Sequence, residues 1–190
     1  MSYFYRIFSK FYEIAAKKMC KECEGFIKEG DRILDLGCGS AIVGSTFQKH
    51  FKGKIFGIDI IDNRIVNIPF QFYDGVSIPF SENYFDVVLI NYVLHHCHDP
   101  VHILKEAQRT TKEKIIIFED TPTGFFSNLI CKIHGISFNC FFQKNKENGN
   151  FKTKKEWKNI FKKLGLKLVF EKKISLICDP ILKTVFVLKK

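Results

Sequence analysis

Four of the short apolar runs in this chain close on an acidic residue. Asp35 lies in Arg32–Leu36, Asp59 ends Lys54–Asp59, Asp74 follows Phe70–Tyr73, and Glu119 follows Lys114–Phe118. Polar stretches of helical length separate the runs, and that alternation reads as βα units laid into one sheet. Open sheets of this kind bind ligands at the carboxyl ends of their strands, where the strand order reverses. One acid at a strand end serves as a helix cap; four at successive ends mark a site.

The remaining elements follow from local signals. Phe85–Asn91 is a further strand, and its continuous run Val87-Val88-Leu89-Ile90 suits burial on both faces. Residues 3–28 predict a helix, because Phe4, Phe8, Phe11, Tyr12, Ala15 and Ala16 recur near helical spacing. Ala41–Phe51 predicts another. Asp99 caps a helix that opens on Pro100 and runs to about Thr110. Thr153 and Glu156 form a capping box for a helix through Leu164, which Gly165 ends. Leu166–Ile177 and Thr184–Leu188 read as a hairpin around Asp179-Pro180. The expected fold is α/β: a doubly wound, mostly parallel seven-stranded sheet with helices on both faces and a C-terminal antiparallel hairpin. Residues 1–190 are expected as one domain, with an N-terminal helical lid over 1–29 and an irregular substrate-side insert over 121–150.

Composition narrows the classes. The chain has 190 residues, 21 of them Phe, enough apolar material for a real core. No run approaches the roughly 18–20 apolar residues of a membrane span. Arg6, Lys10 and Glu13 interrupt the N-terminal aromatics, so a secretory signal is not expected and a cytoplasmic location is. The seven cysteines are scattered and odd in number, which favours reduced thiols over a disulfide framework. Cys20-x-x-Cys23 has no second pair to complete a zinc site, and no metal is expected. The formal charge of +10 raises the question of nucleic acid. The lysines are thinly spread, however, and a solvated basic surface is the simpler reading.

The turn after the first strand reads Asp35-Leu36-Gly37-Cys38-Gly39-Ser40-Ala41. Its glycines permit a tight turn and close approach of a ligand. A dinucleotide fingerprint wants a small residue where Ile42 stands and does not require Asp35. A ligand carrying a cation, such as an ammonium or sulfonium, gains from that carboxylate.

These residues resemble a known family, the Rossmann-like S-adenosylmethionine-dependent methyltransferases. The pattern acid-x-Gly-x-Gly-x-Gly matches at Asp35, Gly37 and Gly39, with Ala41 in place of the last glycine, a change expected to bear only on tightness of packing. Gly57-Ile58-Asp59, Tyr73-Asp74-Gly75-Val76, Ile78-Pro79-Phe80, Phe85-Asp86-Val87-Val88 and Val93-Leu94-His95-His96 follow in the family's order, and Phe151-Lys152-Thr153, Glu156-Trp157 and Phe161 are similar to one subgroup.

The resemblance implies S-adenosylmethionine as cofactor. Asp35 and the Gly37-Cys38-Gly39 backbone would hold its methionine part. Asp59, with Ile60, would take the ribose, and Asp74, with Gly75, the adenine. Asn91 would line the sulfonium side. The implied activity is methyl transfer to a small-molecule acceptor. Methylation of RNA or another nucleic acid, or a non-catalytic cofactor-binding module, are the alternatives. An acceptor hydroxyl or carbon acid would need a base near the fourth or fifth strand end. His96 is the expected base, with Glu119 or Asp120 orienting it, and His134 is a further candidate.

Overall fold

The structure, a computed structural model, describes residues 2–123, 127, 129–131, 150–174 and 183–190. His134, the Asp179-Pro180 turn and most of the 121–150 segment lie outside the described residues.

The elements, in chain order, are α1 (Ser2–Ile7), α2 (Ser9–Glu22), β1 (Arg32–Leu36), α3 (Ile42–Phe51), β2 (Lys54–Asp59), β3 (Phe70–Phe72), β4 (Phe85–Asn91), a 3-10 turn (Leu94–His96), α4 (Pro100–Thr110), β5 (Thr111–Asp120), α5 (Lys154–Lys163), β6 (Lys167–Ile174) and β7 (Lys183–Lys189). Seven strands form one sheet in the order β3-β2-β1-β4-β5-β7-β6. The first five are parallel to one another, and β7 runs antiparallel between β5 and β6. From β1 the chain winds outward to β2 and β3, then returns to the other side of β1 as β4. The strand order therefore reverses between β1 and β4, and a crevice opens at their carboxyl ends.

Side-chain alternation divides the core. Ile33 of β1 joins Met19, Phe47 and Leu89 in a cluster on the α2–α3 side. Its neighbours Leu34 and Leu36 join Leu104, Trp157 and Phe161 on the α4–α5 side. A period of two thus serves two helical layers from one strand.

The caps read from sequence are present. Asp99 Oδ1 accepts from the Val101 and His102 amides at 3.0 and 2.9 Å. Thr153 and Glu156 close a capping box on α5. Three boundaries differ from expectation. The N-terminal helix is shorter than 3–28 and turns at Phe8, although the Phe8 and Tyr12 amides still donate to the Phe4 and Phe8 carbonyls, both at 3.2 Å. Strand β3 stops at Phe72. Strand β5 is longer than Lys114–Phe118, because pairing with β4 and β7 carries it from Thr111 through Glu119 and Asp120.

Ala41 corrects the expectation that its departure from the family pattern bears only on packing. It is buried and left-handed, with φ +62°, a region that costs an L-residue about 1–2 kcal/mol. Replacing it by glycine relieves that strain. The same change removes a buried methyl worth about 0.8 kcal/mol and frees the unfolded chain by about 0.4–1 kcal/mol. The terms nearly cancel. Ala41→Gly is expected to leave Tm within a few degrees of the parent, whereas Ala41→Val, with a branched Cβ at positive φ, is expected to lower it markedly. Thermal unfolding of the two variants checks both outcomes.

Candidate active site

The β1–α3 turn is held from both sides. The Gly37 and Cys38 amides donate to the Ile58 carbonyl at 2.8 and 3.1 Å. The Gly39 amide donates to Asp59 Oδ2 at 2.8 Å. A Cβ on Gly37 would lie 2.5 Å from Val93 in the loop after β4, so only glycine fits there. The turn therefore spans the crevice from β2 to β4.

Asp35 lies beneath α3, and a Cβ on Gly44 would meet its Oδ2 at 2.5 Å. The carboxylate is 1% exposed, and among the described residues neither oxygen has a hydrogen-bond partner. Burial is the main cause that pushes its pKa up to about 7, with the charge of Asp59 adding to it. The Gly44 amide offsets part of this without reaching hydrogen-bond geometry. Asn91, at the end of β4, has both amide atoms shielded from solvent and, among the described residues, without a partner. Two unsatisfied polar groups on facing strand ends are what a polar, cationic ligand would satisfy.

Asp59 is half-buried, and burial raises its pKa against the Gly39 and Ile61 amides. Its Oδ1 accepts a long bond, 3.3 Å, from the Ile61 amide. Ile60 follows it, 43% exposed, and lies under Gly75. Asp74 is exposed, and its Oδ1 accepts from the Val76 and Ser77 amides, both at 2.7 Å, which lowers its pKa. Beside it is a recess of about 240 Å³ lined by Gly75, Val76, His98, Asp99, His102 and Ile103. The His102 Nε2 atom there is buried and has no partner among the described residues. Cys38 is buried against Gly57, and burial raises its thiol pKa.

Glu119 and Asp120 occupy the last two positions of β5, both buried. Glu119 Oε1 accepts from the Leu94 amide at 2.8 Å, and Oε2 lies 2.6 Å from His95 Nδ1. Burial alone would lower the His95 pKa. The charge and hydrogen bond of Glu119 outweigh it and raise the value. Asp120 pairs with Lys183 Nζ at 2.7 Å, and Lys183 lies over the Tyr92 ring. The acid expected to orient His96 thus bonds His95 instead. His96 is half-buried, its ring centroid 4.0 Å from that of His95.

Tyr5 belongs to the aromatic run expected to form the lid, whereas the Arg109–Glu106 pair and Lys183 were not singled out from sequence. Tyr5 of α1 reaches the turn: its hydroxyl is 3.7 Å from where a Gly39 Cβ would be, and burial, then Tyr12 and Asp59, push its pKa up to about 12. Arg109 donates to the Phe80 and Ile78 carbonyls at 2.7 and 2.9 Å, while Glu106 accepts from the Ile78 amide at 3.0 Å. Their i,i+3 spacing on α4 was the available signal. Lys183 carried none, since its pairing with Asp120 spans 63 residues.

This fold, with a glycine turn and an acid at each of three strand ends, defines a Rossmann-like S-adenosylmethionine-dependent methyltransferase domain. The methyltransferase-domain family matches residues 8–171, and the chain belongs to that family. An uncharacterized methyltransferase of Schizosaccharomyces pombe is 29% identical over 142 residues, 65% of this chain and 47% of that protein, so the chain spans about half of that relative's length. A demethylmenaquinone methyltransferase of Bacillus cereus is 27% identical over 175 residues, 75% of this chain and 73% of that protein. A crystal structure of a S-adenosylmethionine-dependent methyltransferase from Methanosarcina mazei superposes with a TM-score of 0.70 at 19% identity, over 88% of this chain and 96% of that one.

The Asp35 shift has a sign that can be measured. Its folded pKa of about 7 exceeds the ordinary 3.8. Between those values the folded protein keeps a proton that the unfolded chain has released, so this group's contribution to stability falls as pH rises through the window. Asp35→Asn removes that slope. The Tm of the variant relative to the parent is expected to rise by several degrees from about pH 5 to about pH 8, because each pKa unit is worth about 1.4 kcal/mol. A constant difference across that range would place the Asp35 pKa near its ordinary value.

Proposed function

We propose that this domain transfers a methyl group from S-adenosylmethionine to a small-molecule acceptor. The observation that carries the reading is the pair of buried, unpartnered groups at the strand switch, the Asp35 carboxylate and the Asn91 amide. Bound there, the cofactor supplies a methyl carbon made electrophilic by its sulfonium. Asp35 and the Gly37–Gly39 backbone would hold the methionine end. Asp59 would accept from the ribose hydroxyls through Oδ1, which is nearly free of other donors. Asp74 would accept from the adenine amine, with Gly75 and the neighbouring recess beside it. Asn91 would line the sulfonium side, with the turn residues Cys38 and Ile60 forming the flanks.

We further read α1 and α2 as a lid on this site, because Tyr5 already lies over Gly39. The relatives named for demethylmenaquinone support a small, ring-bearing acceptor. For an acceptor hydroxyl or carbon acid, His96 is the proposed base. Glu119 fixes the turn that carries it, through the Leu94 amide and His95. Positioning supplies the rest of the rate enhancement.

Isothermal titration and methyl-transfer assays against a panel of quinols and phenols test the proposal. Saturable cofactor binding with transfer to a member of the panel supports it; binding without any transfer to small molecules, but with transfer to RNA, overturns the acceptor class. Asp59→Ala is expected to weaken cofactor binding at least about tenfold, because each charged hydrogen bond is worth about 1.5–3 kcal/mol. An unchanged Kd removes Asp59 from the ribose site. His96→Ala is expected to lower kcat by about 10²–10⁴-fold with cofactor affinity nearly constant. Equal turnover assigns the base elsewhere or leaves transfer to positioning alone.

A further inference from the structure

The N-terminal helices have two apolar faces. Tyr5, Tyr12, Ala16 and Met19 turn inward onto the domain, with Ala16 and Met19 fully buried. Tyr3, Ile7, Phe11 and Ile14 recur at steps of four, four and three on the other side, and they are 75%, 58%, 69% and 58% exposed. Phe4 and Phe8, at 45% and 39%, widen the stripe. Scattered apolar residues on a surface need no explanation, but six large ones within twelve residues on one face do.

The charges around the stripe say what covers it. Arg6, Lys10 and Lys17 are exposed along one edge, and Lys18 falls within it. From Ser2 to Lys21 five basic residues stand against one acid, Glu13. A second copy docking here in a symmetric pair would set these like charges against each other. An anionic bilayer accepts both features: apolar side chains enter the headgroup boundary, and the long basic side chains reach up to lipid phosphates.

We propose that the outward face of α1 and α2 docks this domain on an anionic membrane surface, lying in the interface without spanning it. No described helix is long and apolar enough to cross a membrane. The inward face stays on the domain while the outward face meets lipid, so covering the glycine turn and docking do not compete for the same side chains. The surface stands on its own observations and does not depend on the nature of the methyl acceptor.

Flotation with vesicles tests it on the full chain. The protein is expected to float with vesicles of mixed phosphatidylglycerol and phosphatidylcholine and to remain below with phosphatidylcholine alone. Replacing two anchors by acids, Phe11→Glu with Ile14→Glu, is expected to weaken anionic-vesicle binding at least about tenfold while the circular dichroism spectrum stays that of the parent. Lys10→Glu with Lys17→Glu is expected to weaken it too, and added salt to weaken the parent. Absence of flotation with anionic vesicles overturns the proposal, as does equal flotation by the Phe11/Ile14 variant. A concentration-dependent dimer, seen by light scattering and abolished by the same two substitutions, would assign the face to a second copy and also overturn it.

Discussion

The structure turns on how closely side chains of neighbouring elements pack onto glycine backbone at and around the β1–α3 turn. Gly37 abuts Val93 with no room for a Cβ, and Gly44 lets α3 settle onto the Asp35 carboxylate. Gly57 does the same on β2, where a Cβ would come within 2.9 Å of the Cys38 sulfur. Three glycines on three elements thus bring β2, the turn and the loop after β4 into one rim. A side chain at any of the three positions would push an element outward and open the switch crevice.

The buried charges divide into two kinds. Glu119 with His95 and Asp120 with Lys183 are paired at 2.6 and 2.7 Å. Removing one member of such a pair leaves the other buried alone, at a cost of several kcal/mol. These pairs pin β7 to β5 and the 3-10 turn to the end of β5. Among the described residues Asp35 has no such partner, and burial, with the charge of Asp59 adding to it and the Gly44 amide offsetting part, pushes its pKa up to about 7. A group kept at that cost, in a strand that apolar residues would otherwise fill, is one that the positive charge of the proposed cofactor would meet.

Much of this was legible in the sequence, because it was local. The strand limits of β1, β2 and β4, the Asp99 and Thr153 caps and the acids at the strand ends all follow from residues within a turn or two of each other. What was not legible depends on separation in sequence. The pairing of Glu119 with His95 instead of His96 is decided by which ring the 3-10 turn buries, and sequence spacing treats the two alike. The extension of β5 through Glu119 and Asp120 is set by β7, more than sixty residues later. The place of β7 between β5 and β6 also exceeds what a hairpin pattern reveals, since the pattern fixes the pairing of two strands but not which of them meets the sheet. Ala41 was read as a packing change because sequence carries no dihedral angle.

The two ends of the crevice differ in how far they are preformed. On the β3 side, Asp74 already holds the Val76 and Ser77 amides, and Arg109 with Glu106 fastens Ile78 and Phe80 to α4. That loop has little ordering left to lose when a ligand arrives. On the β1–β4 side, Asp35 and Asn91 keep their hydrogen-bonding capacity unused. A ligand held at the preformed end would, on the proposed function, bring its cation to the unsatisfied end and relieve the burial cost of Asp35 there. Such an arrangement ties recognition of the reactive end to the stability of the domain: whatever satisfies Asp35 also firms up the packing of α3 on β1.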